Sequence, residues 1–409
     1  MRVVFPWATD LVSSWLVQWR LSRGPVTFER TLTRTREQFD LTIVGAGIVG
    51  LAHAVEAVHH GLRVLVIDQD DVVSGASVRN FGHCFVTAQS GTALEYANAA
   101  RARWIELAAE AGFWLGTTGT LLVARLPEEL DVIHEFADGR HPEARVLTAA
   151  EALEKAPVDE HIRGALWSPR DVRVDPREAA PALATWLESQ PGVTFKWNTT
   201  VLGIARGCLT TNRGDIGTES AVIAVGHDLD RLLPDIAEDA RIRRCTLQML
   251  RVASPGYAIG PALATGLALL RYEGFRHCPS LPALRARMEQ ERPDLIEHGV
   301  NLLVTQLPSG DLIVGDTHHY GRTADPFRDE RLDELVLGEA AALLGVTSLA
   351  VLERWTGVYA TAAEGSFLVT TATQGVIVVA VTSGIGMTTA FGLAQRVVGG
   401  LVHHARPLP

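Results

Sequence analysis

Residues 40–68 read DLTIVGAGIVGLAHAVEAVHHGLRVLVID, and their order decides the fold. The apolar run Leu41 to Val44 predicts a strand that runs into Gly45-x-Gly47-x-x-Gly50. Small and apolar residues at Leu51, Ala54, Val55 and Val58 predict a helix, which Gly61 ends, and RVLVID predicts a second strand closing at Asp68. This is a complete βαβ unit with the glycine fingerprint of a dinucleotide site. Gly45 permits the tight turn, Gly47 lets the backbone approach a pyrophosphate, and Gly50 lets helix and strand pack closely. The helix start, with Ala46, Ile48 and Val49, offers amide donors and a partial positive charge to phosphates. Asp68, with Gln69 beside it, is placed to accept both ribose hydroxyls, and an acid there disfavours a 2′-phosphate. Glycines serving packing alone would explain neither the order nor the acid.

Outward from this unit, GASVRNFGHCF at 75–85 sets Ser77, Arg79, Asn80 and His83 among small residues. At the far end, GVIVVAVTSGIGMTTAFGLAQRVVGGLV predicts a strand, a turn at Gly384-x-Gly386, and a final helix starting near Met387–Thr389. Two glycine turns opening helices at opposite ends of the chain imply that both ends build one nucleotide domain, with the middle inserted over it. The apolar run at 219–226, ending in Gly226, is where the chain returns to the nucleotide sheet. Helices are expected at 92–112, from Pro176, within 282–293, and from Pro326 to Gly345, with mixed strands and loops over 245–320. The domains read as 39–95, 148–228 and 353–409 for the nucleotide unit, and 96–147 with 229–352 for the substrate unit.

Composition narrows the function. The chain has 409 residues, a formal charge of −10 and a mean hydropathy of +0.13. The acidic balance argues against a nucleic-acid partner. Cys84, Cys208, Cys245 and Cys278 are scattered and form no CxxC pair, so neither a metal site nor a disulfide framework is expected, and a reducing cytoplasm fits. Residues 1–38 are Arg-rich and acid-poor. Their apolar patch LVSSWLVQW is too short and polar to span a bilayer. They read as a disordered or loosely docked extension, with peripheral membrane contact as the alternative.

DLTIVGAGIVGLAHAV, RVDPREA at 173–179, AVIAVGHD and VTSGIGMTTAFGLA together resemble the D-amino acid oxidase, glycine oxidase and sarcosine oxidase superfamily of FAD-dependent amine oxidoreductases. GASVRNFG, LLRYEGF at 269–275, HGVNLLVTQ with IVGDTHHY, and VLERWTGVYA resemble its phosphonate-associated branch; HCF at 83–85 departs from that pattern. The resemblance implies a Rossmann-like FAD-binding domain of the glutathione-reductase type, α/β and built from discontinuous segments, carrying an inserted mixed-β-sheet substrate domain of α+β character. The adenosine end of FAD would lie over Gly45–Gly50 and Asp68. Ser77, Arg79 and Asn80 would lie near the pyrophosphate and ring, and Gly384, Ile385, Gly386, Met387 and Thr388 near the ring's pyrimidine edge. Arg79 and Asn80 would offer donors to the flavin or to an anionic substrate; an Arg79 paired with a neighbouring carboxylate is the alternative.

The implied substrate is 2-aminoethylphosphonate or its N-methyl derivative, oxidised to phosphonoacetaldehyde, the amine and hydrogen peroxide. Hydride loss requires the free amine, and neutralising an amine of pKa about 10.4 at pH 7 costs roughly 4–5 kcal/mol. His83, His277, His318 and His319 are candidate proton acceptors. Arg271, Arg276 and Arg354, with Tyr272 and Tyr359, are candidates for the phosphonate, since guanidinium forks match such an anion; surface ion pairs are the competing role for each arginine. Sarcosine oxidases set a lysine over the flavin to activate oxygen, and neither Lys155 nor Lys196 falls in a matching motif. The acceptor is therefore oxygen or another molecule. Oxidation of glycine, sarcosine or a D-amino acid is the second reading, and a non-catalytic dinucleotide-binding protein the third. A monomer or homodimer is expected.

Overall fold

The computed structural model describes residues 39–405, so the expected N-terminal extension lies outside the described residues. A six-stranded sheet runs Phe367–Thr373, Val376–Val381, Ala221–Ile223, Leu41–Val44, Val64–Ile67, Val193–Lys196. Its pairings are parallel except the antiparallel hairpin at the 367–381 edge. Parallel strands covered on both faces read as unbroken apolar runs. Val64 and Val66 pack into one core and Leu65 and Ile67 into the other.

The first helix, Ile48–His59, follows the opening strand directly. Gly45 adopts φ +103°, and a Cβ there would come 2.5 Å from the Ala224 carbonyl oxygen, so only glycine fits where two strands end together. A second helix, Gly91–Ala111, the helix Pro176–Glu188 expected from Pro176, and the final helix, Gly386–Ala405, share this layer's core. The indole N–H of Trp104 donates to the Met387 carbonyl at 2.8 Å, tying the start of the final helix to the second. Glu56 of the first helix pairs with Arg103 of the second at 2.8 Å.

The other layer is a nine-stranded mixed sheet. Its order is His319–Gly321, Arg243–Val252, Leu312–Gly315, Leu303–Gln306, Ala262–Thr265, Thr120–Ala124, Gly164–Ser168, Arg145–Thr148. Val351–Thr361 pairs antiparallel along the whole of Arg243–Val252. The observed placement differs from the boundaries drawn from sequence: residues 96–111, assigned there to the substrate unit, belong to a helix packed in the first layer. Residues 164–168 and 353–361, assigned there to the nucleotide unit, are strands of this second sheet, because the antiparallel partners that satisfy their backbone groups lie in it. The helix expected from Pro326 begins at Glu330, where the Asp329 side chain accepts the Arg331 N–H at 3.0 Å and caps it.

Candidate functional site

Between the layers lies a cavity of about 530 Å³. At one end it is lined by Gly45, Ala46, Gly47, Ile48, Val49, Asp68 and Gln69, and along its length by Ser77 and Gly226. The run Gly384 to Thr388 closes one side, so the two glycine turns do converge. Gly50 is not in the lining; it sits where a Cβ would fall 1.8 Å from the Gly45 carbonyl oxygen, which is the close helix–strand packing expected of it. The Asp68 carboxylate accepts the Ala46 N–H at 2.5 Å and the Asp70 N–H at 3.0 Å, locking the acid to the turn. Ser77 Oγ accepts the Ile48 N–H at 2.7 Å, so this residue completes the helix start. Gly384, at φ +77°, lies where a Cβ would be 3.0 Å from the Tyr359 ring.

The stretch GASVRNFGHCF crosses from this end toward the second sheet. Asn80 is a turn clamp: its amide donates to the Ala76 and Ser77 carbonyls at 2.8 and 3.0 Å, and its oxygen accepts the Gly82 N–H at 2.6 Å. With those groups engaged it has no donor left for flavin or substrate, which corrects the expected role. Arg79 is exposed at the cavity rim, and its carbonyl accepts the Trp355 indole N–H at 3.2 Å. His83 does face the cavity. Its Nε2 is 2.7 Å from Thr120 Oγ1, and burial, aided by Arg173, pushes its pKa down to about 3, so the ring is neutral.

The far end is a chamber lined by Phe81, Leu247, Leu303, Arg271, Tyr272, Asn301, Asp316, His318 and Tyr359. The Arg271 guanidinium donates to Tyr359 Oη at 2.8 Å and Tyr320 Oη at 3.3 Å. Burial opposes its charge, but Tyr359, Asp316 and Tyr320 outweigh that and hold it protonated. His318 Nδ1 lies 2.7 Å from the Gly299 carbonyl, and burial with Arg271 lowers its pKa well below the usual value.

Two expected substrate residues are elsewhere. Arg276 is exposed and paired with Glu273 at 2.9 Å, because neighbouring Phe275 takes the inward position of that turn. Arg354 binds Asp333 and Glu330 at 3.1 and 2.7 Å, anchoring the helix Glu330–Leu344 to its sheet. His277 and His319 are exposed. Lys155 lies over the Trp167 ring, and neither lysine lines the cavity. Sequence reasoning missed Asp316 and Asn301, although Asp316 stands inside the quoted IVGDTHHY. Asp316 is buried, which pushes its carboxyl up to about 7 against the opposing pull of Arg271.

A glycine-lined cradle continuous with a chamber holding a fixed cation fits a protein built around a bound nucleotide cofactor. The chain belongs to the DAO family, FAD dependent oxidoreductase, whose profile matches residues 40–399. It is 26% identical over 251 residues to a subunit of the opine oxidase of Rhizobium meliloti, covering 56% of this chain and 67% of that protein. It is 29% identical over 213 residues to glycine oxidase of Geobacillus kaustophilus, covering 48% of this chain and 56% of that one. The crystal structure of glycine oxidase from Geobacillus kaustophilus superposes with a TM-score of 0.74 at 22% identity, covering 90% of this chain and 96% of that one. The protein is thus an FAD-dependent enzyme with a Rossmann-like cofactor domain.

The residues present fit FAD. Gly45, Gly47 and Gly384 leave the cradle free of side chains, and a Cβ on Gly47 would stand 3.2 Å from Ser77 Oγ. Asp68 and the first helix start would hold the adenosine and phosphates, and Gly384 to Thr388 the ring. No helix of the described residues is long and apolar enough to cross a membrane.

Proposed function

We propose that the enzyme oxidises the C–N bond of an amine carrying an anionic group at its other end, with 2-aminoethylphosphonate or its N-methyl derivative as the first candidate. The observation that carries this reading is Arg271: a charged guanidinium in the chamber wall, oriented by two tyrosine hydroxyls, in the same cavity as the cofactor cradle. Such a fork matches phosphonate or carboxylate oxygens through charge-assisted bonds. Bound FAD supplies the two-electron acceptor that the chain's own side chains lack. The chain binds the anion through Arg271 and excludes water with Phe81, Leu247 and Leu303. In the oxidase form of the reaction, amine, oxygen and water yield aldehyde, released amine and hydrogen peroxide; another electron acceptor would replace oxygen without changing the amine half.

A second reading, a small amino acid such as glycine, sarcosine or a D-amino acid, is favoured by the likeness to glycine oxidase. Anaerobic bleaching of the purified flavoprotein by a panel of aminophosphonates and amino acids separates the two. Bleaching by 2-aminoethylphosphonate is expected. Bleaching by glycine or sarcosine alone selects the second reading, and no bleaching by any amine removes both. Arg271→Ala is expected to raise KM for the anionic substrate by roughly ten- to a hundredfold, the worth of a hydrogen bond to a charged group.

A further inference from the structure

The chamber's acceptors point to what lies opposite the anion. Asp316 and Asn301 sit side by side on paired segments: the Asn301 N–H donates to the Asp316 carbonyl at 2.9 Å, and the Asp316 N–H returns to the Asn301 carbonyl at 3.1 Å. The two residues are 4% and 3% exposed, both line the cavity, and Oδ1 of each is buried without a hydrogen-bond partner, while the Asn301 side chain also hydrogen-bonds toward the Asp316 carboxylate and helps to hold its pKa down. His318 adds a third acceptor. Its Nδ1 faces the Gly299 carbonyl at 2.7 Å, so the proton sits there, and Nε2, 3.7 Å from Asp316 Oδ2, presents a lone pair. Arg271 does not close this gap, since its guanidinium donates to the two tyrosine hydroxyls and no ion pair joins it to Asp316 among the described residues. Buried acceptors are normally satisfied, and a cavity wall that leaves several without a partner fits a ligand rich in N–H donors.

We propose that Asp316 and Asn301 form an amine subsite, their unpartnered oxygens accepting the N–H donors of the substrate nitrogen while Arg271 takes the anionic end. The proposal rests on the C–N oxidation reading and deepens it: the site is built for a dipolar substrate, and its selectivity for nitrogen resides in this acceptor pair. The substrate nitrogen offers N–H donors both as an ammonium and as the free amine that reacts, whereas an isosteric methyl offers none.

The test uses the holoenzyme and two isosteric ligand pairs, 2-aminoethylphosphonate with propylphosphonate and sarcosine with methoxyacetate. Anaerobic rapid mixing gives the dissociation constant of each amine from the saturation of flavin bleaching, and perturbation of flavin absorbance gives that of its amine-free partner. Asp316→Asn and Asn301→Ala are each expected to weaken amine binding about tenfold or more while leaving the amine-free ligands within about threefold. Equal weakening of both members of a pair, or amine binding unmoved in a variant that retains flavin, overturns the subsite. Should Asp316→Asn fail to hold FAD, Asn301→Ala decides, because it removes the unpartnered oxygen and keeps the backbone pairing. A wild-type holoenzyme that no amine reduces overturns the C–N reading itself. Normal reduction with amine affinity unchanged by either substitution overturns the subsite alone.

Discussion

Asn80 and Asn301 show how differently one residue type is used. Asn80 spends its amide on three backbone groups of its own turn, whereas Asn301 keeps a buried oxygen without a partner. Asn80→Ala should therefore act on the fold, lowering stability by about 1–3 kcal/mol for the unsatisfied turn groups. It should lower the melting temperature of the apoprotein as well as the holoenzyme; a loss of turnover with unchanged Tm would contradict that role. His53 offers a test of charge burial. Its Nδ1 lies 2.7 Å from the Val49 carbonyl inside the first helix, and burial pushes its pKa down to about 4. Between about pH 6.5 and 4 the unfolded chain takes up a proton that the folded chain refuses, so stability is full above that window and falls as pH drops through it. The contribution is up to about 3 kcal/mol. In His53→Leu the decline of Tm across that window should be shallower than in the wild type. Asp171 and Asp316, both raised to about 7 by burial, act in the opposite direction and are common to both proteins, so the comparison isolates His53.

At the scale of elements, the contact between the second and final helices depends on a glycine. A Cβ on Gly392 would stand 2.3 Å from the Tyr96 carbonyl oxygen, so the two backbones meet there without an intervening side chain. Gly392→Ala must push the helices apart, at a cost of about 1–3 kcal/mol. Because the same helix begins at the cofactor turn, thermal unfolding should shift down and FAD should dissociate more readily on dilution, followed by the rise in flavin fluorescence. An unchanged Tm would mean that the helices slide without loss. Gly392 carried no signal in the sequence beyond helical context, since a small residue on a helix does not reveal which neighbour approaches it. The opening βαβ unit was legible throughout. Its cues are local: glycine dihedral freedom, apolar runs, and a terminal acid at fixed distance.

For the whole molecule, the fold protects its thiols. Cys84 and Cys245 are fully buried, and Cys84 Sγ donates to the Met387 carbonyl at 3.3 Å. Burial pushes Cys245 and Cys278 up to about 11 and Cys84 higher still. Cys208 is half-buried on a surface strand. A thiolate-directed reagent should therefore label Cys208 first in the native protein and reach the other three only on unfolding. Rapid native labelling of Cys84 would mean that the final helix opens freely.

The sequence alone determined that a dinucleotide unit opens the described chain and that a second glycine turn opens a helix near its end. These follow from short-range dihedral and periodicity constraints that act within a few residues. Only the tertiary structure decided that Val351–Thr361 and Gly164–Ser168 belong to the substrate-side sheet, that Arg276 and Arg354 face away from the chamber, and that Asp316 and Asn301 face into it. Strand partners and the side of a wall on which a charge lies are fixed by backbone pairing and burial between segments far apart in the chain, and no local pattern carries that information.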